Sequence, residues 1–245
     1  MLKQSTIFII LIWVFFCIPC TINADGTSPF IIGGDENYPP YEFVDSDGVY
    51  KGFNVDLIKA VTAAKKLDIQ FMPMDWSDAL DALENGRIDA IQGMSKSVQR
   101  DEKFSFTEPI LHNSQVIFVR SETTNIVEPR DLAGHTVAIQ AGDINSEILK
   151  QIQGVMLSAY DNQEQAMDAL LLGKVDAFVG NRLTGTFVLQ NMRQYNRIKI
   201  VGEPLSDTSY CAAVKKGNEQ LLAQLNKGIA EIKKDGTYDR IYNKW

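Results

Sequence analysis

One short phrase occurs twice in this chain, 87 residues apart, and nothing else in the sequence constrains the fold as strongly. Asp81-Ala82-Leu83-Glu84-Asn85-Gly86-Arg87-Ile88-Asp89-Ala90 recurs as Asp168-Ala169-Leu170-Leu171-Leu172-Gly173-Lys174-Val175-Asp176-Ala177. Each copy reads as a helix end, a glycine that closes it, one basic residue and a buried parallel strand. The strands are expected at 88–92 and 175–179, each running into a polar turn, Gly93-Met94-Ser95 and Gly180-Asn181-Arg182. In an open α/β sheet, ligands sit outside the carboxyl ends of the strands. A duplicated unit therefore predicts two lobes, each presenting a strand-end turn to a shared cleft. Chance similarity is the competing reading, and Asp, Ala, Leu, Gly, Asp and Ala recurring in the same places argue against it.

The first 24 residues read as an export signal. Lys3 precedes an apolar run from Ile7 to Phe16, and Ala24 offers a small residue for cleavage. The run to Ile22 falls short of the roughly 20 residues of a spanning helix, so cleavage is expected over a retained anchor. Cys17 and Cys20 lie in this segment without the small residues that precede a lipidated cysteine. Cys211 is then the one cysteine left, which excludes an intramolecular disulfide and suits a small buried apolar side chain. The net charge of −7 and the lack of a basic stripe argue against nucleic acid as a partner.

Strand and helix patterns alternate through the rest, as α/β lobes with mostly parallel sheets require. Residues 25–119 read as the first lobe, 120–206 as the second, and 207–245 as a return strand and helices of the first. The chain thus crosses between lobes twice, near Arg120 and near Ser206, which makes a two-stranded hinge. Strands are expected at 114–120, 198–201 and 209–215.

If the lobes face each other, several candidates converge on the cleft. Arg100, with Ser95 and Ser97 just before it, suits a carboxylate, which a guanidinium grips in two places. Gly142-Asp143 opens a helix, where free N–H groups also favour an anion. Tyr38, Tyr41 and Trp76 can supply flat apolar walls, and Gly180-Asn181 a neutral amide from the opposite lobe. Each also has a plain structural reading. Arg100 stands in the charged run Gln99-Arg100-Asp101-Glu102-Lys103 and reads alone as a solvated arginine. Asp143 reads as an N-cap, Asn181 as a turn residue and Trp76 as a staple of its helix.

Seven ordered motifs carry a resemblance that spans Ile31 to Trp245: Tyr38-Pro39-Pro40-Tyr41-Glu42-Phe43, Gly52-Phe53-Asn54-Val55-Asp56-Leu57, Gly86-Arg87-Ile88-Asp89-Ala90, Gly93-Met94-Ser95 with Arg100, Phe104-Ser105-Phe106-Thr107-Glu108-Pro109, Asp131-Leu132-Ala133-Gly134 and Asp235-Gly236-Thr237-Tyr238. Together they resemble the extracellular solute-binding proteins of polar amino acid uptake systems, the family 3 type. The resemblance implies an α/β, two-lobed periplasmic-binding-protein fold of type II, with two mostly parallel sheets joined by a two-stranded hinge. It implies that Arg100 holds a ligand α-carboxylate, helped by Ser95 and the Gly142-Asp143 turn. The Gly93-Met94 turn would offer a carbonyl to the α-ammonium, Tyr38 and Trp76 would flank the side chain, and Asp35 and Gln92 would tune its choice. Three positions depart from the family pattern. Asn181 stands where an aspartate usually meets the ammonium, Asp143 replaces a threonine, and Phe106-Thr107-Glu108-Pro109-Ile110 loosens the usual Phe-Ser-x-Pro-Tyr.

The expected function is capture of a small polar ligand, an amino acid or small carboxylate, by hinge closure outside the cytoplasm. The protein would act as a monomer that delivers the ligand to the membrane permease of an ABC transporter. Two alternatives are a ligand-sensing outer domain of a signalling receptor and a dehydratase-like enzyme on the same scaffold. Catalysis needs an acid or base placed in the cleft, yet His112 and His135 fall outside the matched motifs, leaving Glu108 as the one cleft-edge acid. Asp45-Ser46-Asp47-Gly48 is too short for a calcium loop, and the reading implies no metal and no cofactor.

Overall fold

The computed structural model describes residues 28–245. The export-signal reading of 1–24 therefore lies outside the described residues. The chain forms β1 (Phe30–Asp35), β2 (Asn37–Tyr38), β3 (Glu42–Val44), β4 (Tyr50–Lys51), α1 (Phe53–Lys65), β5 (Ile69–Met74), α2 (Trp76–Glu84), β6 (Ala90–Ser95), α3 (Val98–Lys103), β7 (Phe104–Phe106) and β8 (Leu111–Arg120). It continues with β9 (Thr136–Gln140), α4 (Asn145–Leu149), β10 (Met156–Tyr160), α5 (Gln163–Leu171), β11 (Ala177–Asn181), α6 (Arg182–Asn191), β12 (Ile198–Lys215), α7 (Glu219–Lys234) and α8 (Thr237–Lys244). Among the described residues no helix is long and apolar enough to cross a membrane.

The two copies of the repeat fold alike to the level of single hydrogen bonds. Gly86 and Gly173 have φ of 72° and 70°, the left-handed geometry that favours glycine. The N–H groups of Gly86 and Arg87 reach back to Leu83 and Ala82, and those of Gly173 and Lys174 to Leu170 and Ala169. Both ends are thus Schellman closures. The aspartate of each copy then does the same task. Asp89 donates its N–H to the Ile31 carbonyl and accepts the Ile31 N–H on its carboxylate at 2.7 Å, and Asp176 does the same with Thr136, at 2.9 Å for the carboxylate bond. Each carboxylate therefore locks the repeat strand to its parallel neighbour, β6 to β1 and β11 to β9.

The strand starts differ from expectation. β6 and β11 begin two residues late, because 86–89 and 173–176 are spent on the closure, and they run through the residues read as turns. Gly93, Met94, Ser95, Gly180 and Asn181 are buried strand residues.

The strands order as β10-β9-β11-β8-β12-β6-β1-β5, with β7 pairing β12. The parallel strands of the two halves join one nine-stranded sheet through β8 and β12, which cross between them antiparallel. The strands expected separately at 198–201 and 209–215 are one long strand, β12, interrupted by a register shift between Val201 and Ser206. Gly202, at φ of 68°, and Pro204, which has no N–H to donate, occupy that break. Arg120 lies at the far end of β8 and donates to the carbonyls of Leu170 and Val175, so it is embedded in the second half. Each half has apolar clusters of its own, one built around Leu57, Val61, Leu225 and Ile229, another around Phe118, Leu170 and Phe178.

Candidate functional site

Four parallel strands end at the seam between the halves, and their last residues are Asp35, Ser95, Gln140 and Asn181. Three of these line a cavity, together with Tyr38, Glu42, Trp76, Gly93, Met94, Arg100, Asp143 and Tyr210. The strand-end rule thus locates the site, as it does in open α/β sheets generally.

Arg100 is buried, only 6% exposed, and not the solvated arginine that its charged neighbours suggest. Ser97 caps α3 by accepting from the Arg100 N–H, which aims the side chain back toward β6. The guanidinium donates to the Ser95 carbonyl at 2.8 Å and to the Gly142 carbonyl at 2.9 Å, and lies 5.6 Å from the Trp76 ring centre. Trp76 Nε1 donates to the same Gly142 carbonyl at 3.1 Å. Gly142, at φ of 73°, thus supplies its carbonyl as an acceptor to both side chains. Burial lowers the Arg100 pKa, while Asp143 and Glu147 act the other way.

Asp143 is not the N-cap of α4, a place taken by Ile144. Its carboxylate accepts from the Ile144 N–H and from Asn145 Nδ2 instead, and its own N–H is spent on the Gln140 carbonyl. Burial pushes this carboxyl upward against the pull of Arg100.

The other end of the cavity is acidic. Asp35 accepts from the Asn37 N–H at 2.8 Å and from Gln140 Nε2 at 2.6 Å, the second bond crossing between the halves. Glu42 accepts from the Asp35 N–H and from Asn54 Nδ2, both at 2.8 Å. Burial raises Asp35 from 3.8 to about 7 and Glu42 from 4.5 to about 8. Asn54 also donates to the Tyr210 hydroxyl. Behind Gly93 this cluster leaves no room, since a Cβ there would stand 2.3 Å from Asn54 Nδ2 and 2.5 Å from the Tyr210 hydroxyl.

Of the residues expected in the site, Asp35, Tyr38, Trp76, Gly93, Met94, Ser95, Arg100 and Asp143 line the cavity. Gln92, Gly142 and Asn181 do not. Gln92 points behind β1 and donates to the Tyr50 hydroxyl at 2.6 Å. Asn181 caps α6 by accepting from Thr184 N–H and donates to Asn113 of β8, which ties its amide to the crossing. Tyr41 is core, stacked on Tyr38 at 5.4 Å between ring centres. Glu42, Gln140 and Tyr210 were missed. Glu42 stood inside a quoted motif and Gln140 at a strand end, so both had a signal. Tyr210 had none, because only the return of β12 through the sheet brings it here.

Residues 30–245 match the family of bacterial extracellular solute-binding proteins, family 3. An L-cystine-binding protein, TcyJ of Escherichia coli strain K12, is 29% identical over 88% of this chain and 81% of its own length. A histidine kinase sensor domain with similarity to periplasmic binding proteins superposes with a TM-score of 0.85 at 32% identity, covering 89% of this chain and 95% of that one. An ancestral arginine-binding protein bound to arginine superposes with a TM-score of 0.83 at 34% identity, covering 89% and 97%. With that match across nearly every described residue, the chain belongs to the bacterial extracellular solute-binding proteins of family 3.

Proposed function

We propose that this protein captures a small amino acid outside the cytoplasm by closing its two halves around it, and delivers it to the permease of an ABC transporter. The observation that carries the reading is a cavity walled from both sides of the seam. Asp35, Trp76 and Arg100 come from one half and Gln140 and Asp143 from the other, and beside the cavity the Gly142 carbonyl accepts from Trp76 and Arg100 while Gln140 donates to Asp35 across the gap. Groups paired in this way admit a ligand when the halves part and enclose it when they meet. The bend falls where Asn113 and Gln115 of β8 face Thr208 and Ser206 of β12, beside the register shift. Polar side chains there can exchange partners with water as the strands flex, and the outgoing bend lies nearer Asn113 than Arg120. Binding rather than catalysis, with no cofactor, fits a cavity whose acids are held by neighbouring amides.

Calorimetric titration with a panel of amino acids, paired with small-angle scattering, tests this. A bound ligand should reduce the radius of gyration of any open population. Binding in solution with the halves locked permanently shut, or no binding by any panel member, would defeat it. The resemblance to a sensor domain supports a second reading, a signalling receptor's outer domain. Deleting the gene separates the two, since a transport role predicts lost uptake of the bound amino acid and a sensing role predicts a lost transcriptional response.

A further inference from the structure

We propose that Phe43 and Phe187 form a clasp outside the ligand cavity that sets how fast a bound ligand escapes. This deepens the capture reading above and rests on it. β2 and β3 pair antiparallel, with Tyr38 opposite Glu42 and Asn37 opposite Phe43. Successive residues of a strand point to opposite faces, and this hairpin uses both. Tyr38 and Glu42 line the cavity, while Asn37 and Phe43 reach the second half. Asn37 Nδ2 donates to Glu164 Oε2 of α5 at 3.2 Å. The Phe43 ring centre lies 6.1 Å from that of Phe187 in α6, with the rings inclined at 48°. α5 and α6 pack on each other, so both contacts land on one body of the second half. None of these four residues lines the cavity.

The Phe43 ring is fixed from within the first half. Trp245 stands edge-on to it, with 6.1 Å between ring centres and 90° between ring planes, and Lys51 Nζ lies 5.6 Å from its centre. Trp245 is pinned in turn by a bond from Nε1 to Asp56 Oδ2 at 2.9 Å, and Lys51 by Asp45 at 2.6 Å. A ring held in this way loses little freedom when it meets a partner. Phe43 and Phe187 are both half-buried, and parting the halves would expose the surfaces they now share. Aromatic pairs at such separations stabilise beyond the area they cover. The Asn37 bond to Glu164 is exposed, and water competes for it, so the rings are the stronger link. Every opening that frees a ligand must break the ring pair, whereas entry into an open cleft precedes its formation. The clasp therefore acts on departure, equally for every ligand, and the choice among ligands stays with the cavity.

The test is calorimetric titration of the purified protein with each of the twenty standard amino acids, followed by stopped-flow kinetics on those that bind. Trp76 lines the cavity and supplies the fluorescence signal. Phe43→Ala and Phe187→Ala should each raise the dissociation rate about threefold or more, by one factor for every amino acid that binds, without slowing association. The double variant should dissociate no more than about twofold faster than the faster single variant, because both single changes break the same contact. Circular dichroism checks folding, and Phe187→Leu, which loses the aromatic face, stands in if Phe187→Ala does not fold. A smaller rise, slower association, a factor that differs between amino acids, or a double variant beyond that limit overturns the clasp while leaving amino acid capture standing. No binding by any of the twenty to the wild type overturns both.

Discussion

Asp35→Asn should remove the pH dependence that this one carboxyl imposes on the ligand-free protein. Asp35 is 3% exposed, and its pKa is raised from 3.8 to about 7, chiefly by burial. The folded state therefore holds a proton that the unfolded chain releases between about pH 4 and 7. Stability rises with pH only where the unfolded state binds more protons, so here it falls as pH rises, and the loss is complete above about 7. At 1.36 kcal/mol for each pH unit, the group removes about 3 kcal/mol between pH 5 and pH 8. Asparagine carries no such titration. Glu42 titrates in both proteins and cancels in the comparison, apart from the small part of its shift that Asp35 causes.

The replacement has its own cost. Its amide can accept from Asn37 N–H, but its NH2 group then meets Gln140 Nε2, which now donates to Asp35 at 2.6 Å and to the Asp161 carbonyl at 3.2 Å. That cost is the same at both pH values, so the change in the difference between variants isolates the titration. For a domain of this size about 1 kcal/mol moves Tm by roughly 2–4 °C. Scanning calorimetry at pH 5 and pH 8 should show Tm of Asp35→Asn gaining at least about 4 °C on the wild type as pH rises, a conservative share of that range. A difference constant within about 1 °C would refute the reasoning, because it would mean that Asp35 ionises freely in the fold.

Three further outcomes follow from particular contacts. Arg100→Ala should weaken ligand binding more than tenfold, since one guanidinium joins the Ser95 and Gly142 carbonyls across the seam. Arg100→Lys should fail to restore it because a single ammonium lacks the planar fork, and a loss under threefold for alanine by titration would count against the role. Asp89→Ala and Asp176→Ala should each lower urea-unfolding stability by about 1 kcal/mol, as each strands one half-buried backbone N–H. Markedly unequal losses would contradict the equivalence of the two copies. Gly93→Ala should destabilise by about 1–3 kcal/mol through overpacking, because its methyl would press on Asn54 and Tyr210, and unchanged thermal stability would show that this cluster yields.

The duplicated phrase determined much of this molecule by itself. Helix closure at Gly86 and Gly173 depends on a few neighbouring residues and a left-handed backbone, so local sequence suffices to place it. The strands that follow are buried and largely apolar, and the alternation of helix and strand already implies two α/β halves. The cavity wall was legible for the same reason at Tyr38, Gly93, Ser95 and Arg100, which belong to motifs short enough to read directly.

What local pattern could not decide was how far each strand runs and what each polar side chain meets. β6 and β11 extend through their glycines because β12 and β8 pair with them from distant parts of the chain. The burial of Arg100 depends on Gly142, 42 residues away, and the Asp35 carboxyl, raised by burial, is bonded and partly drawn back down by Gln140, 105 residues away. Asn181 does not line the cavity, and its amide meets Asn113, 68 residues earlier, at the crossing. Charge and hydrogen-bonding roles are set by the neighbours that exclude water, and in this protein those neighbours come from the opposite half of the fold.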